Sequence, residues 1–258
     1  MSRRLPTAFA LVAVAALALT ACSGSPSAAA LTSPDDIITA ALKSTEGAKS
    51  FHADATVDGN LSGDLMGSGT SQSFNLTGTT ASADVDLANK AVHASFAVPA
   101  LLGLSGDVIV VDKKAYVKTS LTGPQYMVSD VTETAGVDPT DTGKTIDNVG
   151  DLLTQPGIEP VKGDDVACGS KQCYTVNVDL TAEELTKIAG AQASSLPVKT
   201  DGSLKVQIRV EKDTNHLAGL TAEVASPSQG NLKVDIVLSK WDEPVTIAAP
   251  PADQVQAS

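Results

Sequence analysis

The sequence predicts an α+β fold, a large curled antiparallel sheet with a few helices packed against one face, and three observations carry that reading. Apolar and polar residues alternate with period two over most of the chain. Helix-start signals interrupt this alternation at only a few places. No βαβ rhythm, heptad or repeat period is present, so the strands pair as hairpins rather than through helical crossovers.

The first element is a helix. Ser33 is a good N-cap, Pro34 suits the first turn, and Asp35 and Asp36 oppose the dipole. Ile37, Ile38, Ala41 and Leu42 form one apolar stripe, which Gly47 can end. Strands follow. Phe51, Ala53, Ala55 and Val57 alternate with His52, Asp54, Thr56 and Asp58. Ala81, Ala83, Val85 and Leu87 form a second such run, and Val92, Ala94, Phe96 and Val98 a third. Val108–Val111 turns at Asp112-Lys113 into Tyr116 and Val117.

Ser129–Lys144 then breaks the pattern with Pro, Gly and Asp. A short helix is expected to follow, with Ile146, Val149, Leu152 and Leu153 on one side and Pro156-Gly157 at its end. Val166 and the alternating Tyr174, Val176 and Val178 flank Cys168 and Cys173. Thr181-Ala182-Glu183-Glu184 is a capping box opening a helix with Leu185, Ile188 and Ala189 on one face. Leu204, Val206, Ile208 and Val210 turn at Asp213-Thr214-Asn215 into Leu217–Val224. Leu232, Val234, Ile236 and Leu238 alternate last, before Trp241.

The predicted inner face is unusually small, with Ala at 53, 55, 81, 83 and 94. Eight aromatic residues in 258 leave the interior aliphatic. Native packing density allows two readings: helices dock very closely on this face, or the space holds something else.

The N-terminus is predicted to direct export. Arg3 and Arg4 precede twelve unbroken apolar residues, Ala8–Leu19. As a helix that run measures about 18 Å, too short for a hydrocarbon core of about 30 Å. Leu19-Thr20-Ala21-Cys22 matches a bacterial lipobox, which implies a signal peptide over 1–21, cleavage before Cys22 and diacylglycerol on its sulfur. Residues 22–32 form the lipidated cysteine and a flexible tether averaging roughly 17 Å. Residues 33–258 form a single domain. In an exported protein, Cys168 and Cys173 read as a disulfide across a hairpin; a metal or redox pair lacks nearby His and the C-x-x-C spacing.

Charge and motifs exclude several functions. Sixteen basic residues remain after the leader against thirty acidic ones, near −14. That opposes nucleic-acid binding and adsorption to anionic membranes, and it favours a monomer beyond the anchor. His52, His93 and His216 fall on polar phases or turns and read as solvated. There is no G-x-S-x-G, H-E-x-x-H, calcium loop or phosphate loop, so catalysis has no support and no cofactor is expected.

The lipobox, tether and capped helix precede Ser50-Phe51-His52-Ala53-Asp54 and Val108-Ile109-Val110-Val111-Asp112-Lys113-Lys114-Ala115-Tyr116-Val117. Val149-Gly150-Asp151-Leu152-Leu153, Thr181–Leu185 and Val245-Thr246-Ile247-Ala248-Ala249-Pro250-Pro251 complete the order. This resembles the LppX/LprA/LprF/LprG family of actinobacterial lipid-binding lipoproteins over nearly the whole mature chain. The family implies a LolA-like half-barrel enclosing an apolar cavity for long-chain acylated lipids or glycolipids. It also implies their carriage or presentation across the cell envelope. One departure is the segment Ser120–Met127, which holds Tyr126 where the family leads one to expect Trp.

The resemblance transfers no cavity residue by motif. Periodicity alone nominates Val92, Ala94, Phe96, Val98, Val149, Leu152 and Leu153 as lining, and ordinary core is the other reading of the same pattern. The expected partners are a long-chain acylated lipid or glycolipid and, through Cys22, the extracytoplasmic side of the plasma membrane. A lipid exporter is a further partner left open. The alternative function is a non-enzymatic interaction module with a solid core. A solute-binding lipoprotein would need two lobes of βα units, which the pattern lacks.

Overall fold

The structure, a computed structural model, describes residues 30–63, 72–131, 158–184 and 201–256. The expected signal peptide, Cys22, most of the tether, the helix bearing Val149, Leu152 and Leu153, and the helix beyond Glu184 lie outside these residues. By internal contacts the chain divides at Ala30/Leu31, and the helix and all the strands belong to the unit Leu31–Ser258.

Helix α1 spans Pro34–Glu46. Thirteen strands come after it among the described residues: β1 (Ser50–Gly63), β2 (Gln72–Asn75), β3 (Thr79–Asp86), β4 (Ala91–Val98), β5 (Leu104–Val111), β6 (Lys114–Thr119) and β7 (Met127–Asp130). After these come β8 (Val161–Lys162), β9 (Val166–Cys168), β10 (Lys171–Leu180), β11 (Ser203–Glu211), β12 (Leu217–Ser226) and β13 (Gly230–Ser239). They form one antiparallel sheet in the order β7-β6-β5-β4-β3-β1-β13-β12-β11-β10-β8, with β2 added to β1 and β9 to β10. The sheet is open, since β7 and β8 end it without pairing to each other. Cys168 and Cys173 are joined in a disulfide across the β9–β10 hairpin.

Helix α1 begins near β10, where the Leu31 N–H donates to Tyr174 Oη at 3.1 Å, and leads into β1. Those strands lie four steps apart in the sheet. A helix of 13 residues, about 20 Å long, matches four spacings of about 4.8 Å, which lays α1 across the strands. Ile37, Ile38 and Ala41 there join Tyr174, Val176, Val178, Leu180, Ile208 and Val210 in the buried core. Burial of this cluster, at about 25 cal/mol per Å² of apolar surface, holds the helix to the sheet.

Some local expectations need correction. Ser33 makes no side-chain cap; its carbonyl accepts from Ile37 N–H at 3.2 Å, and Pro34 and the two Asp residues supply the rest of the start. Gly47 ends the helix as expected, as its C-cap, in a right-handed conformation at φ −86°. The irregular stretch expected from Ser129 in fact begins inside β7, which pairs with β6. Four residues, all exposed, present too short an alternation to stand out in sequence. The capping box forms as its residues require: Glu184 accepts from Thr181 N–H at 2.7 Å, and Glu184 N–H donates to Thr181 Oγ1 at 3.3 Å.

Candidate functional site

Register turns the separate alternations into one surface. Ala53 lies between Ala83 and Leu238, and Ala55 between Ala81 and Ile236. Ala83 pairs onward with Ala94, Ala81 with Phe96, Ala94 with Val108 and Phe96 with Gly106. Because each pairing keeps the pleat in phase, Ala53, Ala55, Ala81, Ala83, Ala94 and Gly106 form a floor of small side chains across β1, β3, β4 and β5. Ile236 and Leu238 border it on β13, and Val108 and Val117 border it toward β6.

The Phe96 ring covers the gap at Gly106. A Cβ on Gly106 would stand 2.5 Å from Phe96 Cζ, so only glycine leaves room for the ring to lie flat on the strand. At the α1 end the face closes with buried Phe51, Val85 and Val110. Away from α1 it stays partly exposed: Ala55, Val57, Ala94, Phe96, Val98, Val234 and Ile236 are half-buried, and Ala81 is exposed. Among the described residues of β1, β3–β6 and β13, no charged side chain falls on this phase.

Charge is confined to the other phase. His52 Nδ1 faces Asp84 at 2.7 Å and its Nε2 faces Asp54 at 3.2 Å; His93 faces Asp107 at 2.8 Å. The expectation of three solvated histidines holds for His93 alone. The His52 side chain is 17% exposed, with Asp84 of neighbouring β3 on one side and Asp54 of its own strand on the other, and His216, also 17% exposed, stacks on Trp241 with centroids 4.9 Å apart. Arg209 reaches across β12 to Asp235 at 3.0 Å and to the Ile236 carbonyl at 3.1 Å. It crosses at Gly219, where a Cβ would meet the Ile236 oxygen at 2.3 Å. A recess of about 750 Å³ on this side is lined by Asp58, Asp179, Lys205, Arg209, Lys233 and Asp235 among others. Arg209 pairs there with Asp235 at 3.0 Å and Lys233 with Glu223 at 2.8 Å, and the lining is mostly polar, with Val206 its one apolar residue.

No family model and no curated protein matches the sequence. Solved structures do. LprF from Mycobacterium bovis superposes with a TM-score of 0.55 over 84% of this chain and 96% of its own, at 20% identity. The Mycobacterium tuberculosis lipoprotein LppX gives 0.51 over 83% and 98%, at 16% identity. The chain has the fold of LprF and LppX. It is an α+β half-barrel, as the alternation and the helix signals predict.

Within this LprF-like sheet, four of the nominated lining residues, Val92, Ala94, Phe96 and Val98, share the apolar phase of β4. Val149, Leu152 and Leu153 lie outside the described residues. Periodicity does not select Gly106, Ile236 or Leu238 as site residues. The β13 alternation places the last two on an inner face, but only pairing with β1 sets them beside the alanines. Gly106 carries no hydropathy signal at all. Among the described residues, no group of His, Cys, Asp and Glu could hold a metal, and no helix is long and apolar enough to cross a membrane.

Proposed function

We propose that this protein is a lipoprotein of the LppX/LprF family that carries long-chain acylated lipids or glycolipids against the small-residue face of its sheet. The observation that carries this reading is the floor of five alanines and Gly106, uncharged, half-buried to exposed, and outside the buried core cluster. Acyl chains need such a surface: each methylene removed from water contributes about 0.8 kcal/mol, while a charge on the face would have to be desolvated. Val92, Ala94, Phe96 and Val98 line it in this reading, with Val149, Leu152 and Leu153 completing the enclosure.

Cys22 bears the diacylglycerol anchor and holds domain 33–258, as a monomer, on the extracytoplasmic side of the cell membrane. The protein makes and breaks no bond, and it presents its cargo to other envelope components, a lipid exporter among them. The shared fold with the lipoprotein LppX, the lipobox and the aliphatic face all support this.

Mass spectrometry of organic extracts from the protein purified from an actinobacterial host tests it. Diacyl or triacyl lipid near one per protein is expected, and Phe96→Arg should lose it while retaining a cooperative melt. Lipid-free protein whose melt is unmoved by added lipid would sink the reading and leave an interaction module with a solid core.

A further inference from the structure

The two ends of the sheet differ in their turns. At the α1 end the hairpin tips carry charge: Lys90, Asp112 with Lys113, and Lys212 with Asp213. At the other end the β4–β5 turn is Pro99-Ala100-Leu101-Leu102-Gly103 and the β6–β7 turn is Ser120-Leu121-Thr122-Gly123-Pro124-Gln125, without a charge in either. Leu102 is 98% exposed and Leu121 72% exposed. Single exposed leucines need no explanation; two on adjacent turns beside an apolar face point to an interaction surface.

Both leucines are held out by structure. In the first turn Leu101 N–H donates to Val98 O at 3.1 Å, Gly103 N–H to Pro99 O at 3.1 Å and Leu104 N–H to Leu101 O at 2.9 Å. Leu102 itself sits at φ 55°, a left-handed conformation unfavourable for a branched side chain. In the second turn Thr119 N–H donates to Thr122 Oγ1 at 3.0 Å, and Thr122 N–H to Thr119 Oγ1 at 3.2 Å. Ser120 N–H donates to Ser105 O at 2.8 Å, which ties the two turns together. Val98 and Leu104, paired at the base of the first turn, continue the apolar phase of Phe96 to the rim.

We infer that these two turns form a bilayer-insertion tip through which the face exchanges its lipid. The occupant is a lipid bilayer rather than a charged partner. Uncharged tips on a chain near −14 can gain affinity only by burying apolar surface, and the insertion is therefore insensitive to salt and needs no anionic lipid. The inference rests on the carrier reading for its purpose, though not for its measurement.

The test uses the full lipoprotein reconstituted in phosphatidylcholine vesicles. With Trp241→Phe and Leu102→Trp, emission should shift to the blue and be quenched by brominated acyl chains. Unquenched emission would overturn the inference. Leu102→Asn combined with Leu121→Asn suits the left-handed site better than leucine does. The melt should hold, while lipid transfer to acceptor vesicles falls by about tenfold or more, since each leucine contributes that much to partitioning. Unchanged transfer would equally overturn it. Absence of bound lipid in wild-type extracts would sink the carrier reading alone, because the quenching reports insertion without cargo.

Discussion

Phe96 and Gly106 are cross-strand partners on the inner face of the sheet, and the ring of one occupies the place where the other would carry a Cβ. The pair settles how the floor meets its wall. With glycine at 106 the ring lies down on β5; with any other residue it must rise into the space above the alanines.

Gly106→Ala is therefore expected to act twice. The new methyl meets Phe96 Cζ and Cε1 at 2.5 and 2.6 Å, and the Lys118 carbonyl at 3.0 Å. Overpacking of this kind costs about 1–3 kcal/mol, read as a lowered thermal midpoint. The displaced ring should also reduce the lipid recovered per protein. Phe96→Ala in the Gly106→Ala background should restore space and recover part of the binding.

Gly219→Ala should destabilise without touching lipid binding. Its Cβ would meet the Ile236 carbonyl at 2.3 Å and Arg209 Nη2 at 2.6 Å, on the face away from the alanines. A loss of about 2 kcal/mol or more is expected from strain on β12 and the broken Arg209 crossing. Denaturant titration with an unchanged slope would measure it. A neutral substitution would show that the strands can part there at little cost.

Replacing both Cys168 and Cys173 with serine opens a loop of sequence separation 5. In the chain-entropy model so short a loop contributes about 2 kcal/mol. At this size the midpoint should fall by about 4–8 °C, and the same fall should follow from reduction of the wild type.

Asp165 gives the acid limb a recognisable component. Hydrogen bonds from Lys212 and then Lys162 hold its carboxyl below the usual carboxylate range. A depressed carboxylate contributes stability above its unfolded value and loses it as pH falls through the native one. Asp165→Asn should thus lower the midpoint near neutrality by a small amount and flatten its decline below about pH 4. Lys171 runs the other way: the Glu211 hydrogen bond raises its pKa, so its contribution is complete below the ordinary lysine range and fades as pH rises through the raised value. Lys171→Gln should remove that alkaline loss, read as a flatter decline of the midpoint at high pH.

Much of this fold is legible in one dimension. The α1 stripe, the capping box at Thr181, the hairpin cysteines and the phases of Ala53, Ala81 and Ala94 depend on neighbours within a few residues. Strand β7 is hidden because four exposed residues make no recognisable period. The enclosed positions of His52 and His216 are hidden because the groups around them come from other strands: Asp84 on β3, and Trp241 beyond β13. Tyr126 likewise hydrogen-bonds with the distant tail, its N–H donating to Gln254 O at 2.8 Å and its carbonyl accepting from Gln256 N–H at 2.9 Å.

The sequence by itself determined that this chain alternates strongly, that its inner phase is aliphatic and small, and that its charge lies on the outer phase. These properties come from the two-residue repeat of a strand, which each segment carries alone. Only the tertiary structure decided which alanines adjoin, that Phe96 lies on Gly106, that Arg209 crosses at Gly219, and that Leu102 and Leu121 stand on adjacent turns. The physical reason is register. Hydrogen bonding between strands brings together residues tens of positions apart, and hydropathy fixes the face each one takes but not the neighbour it meets there.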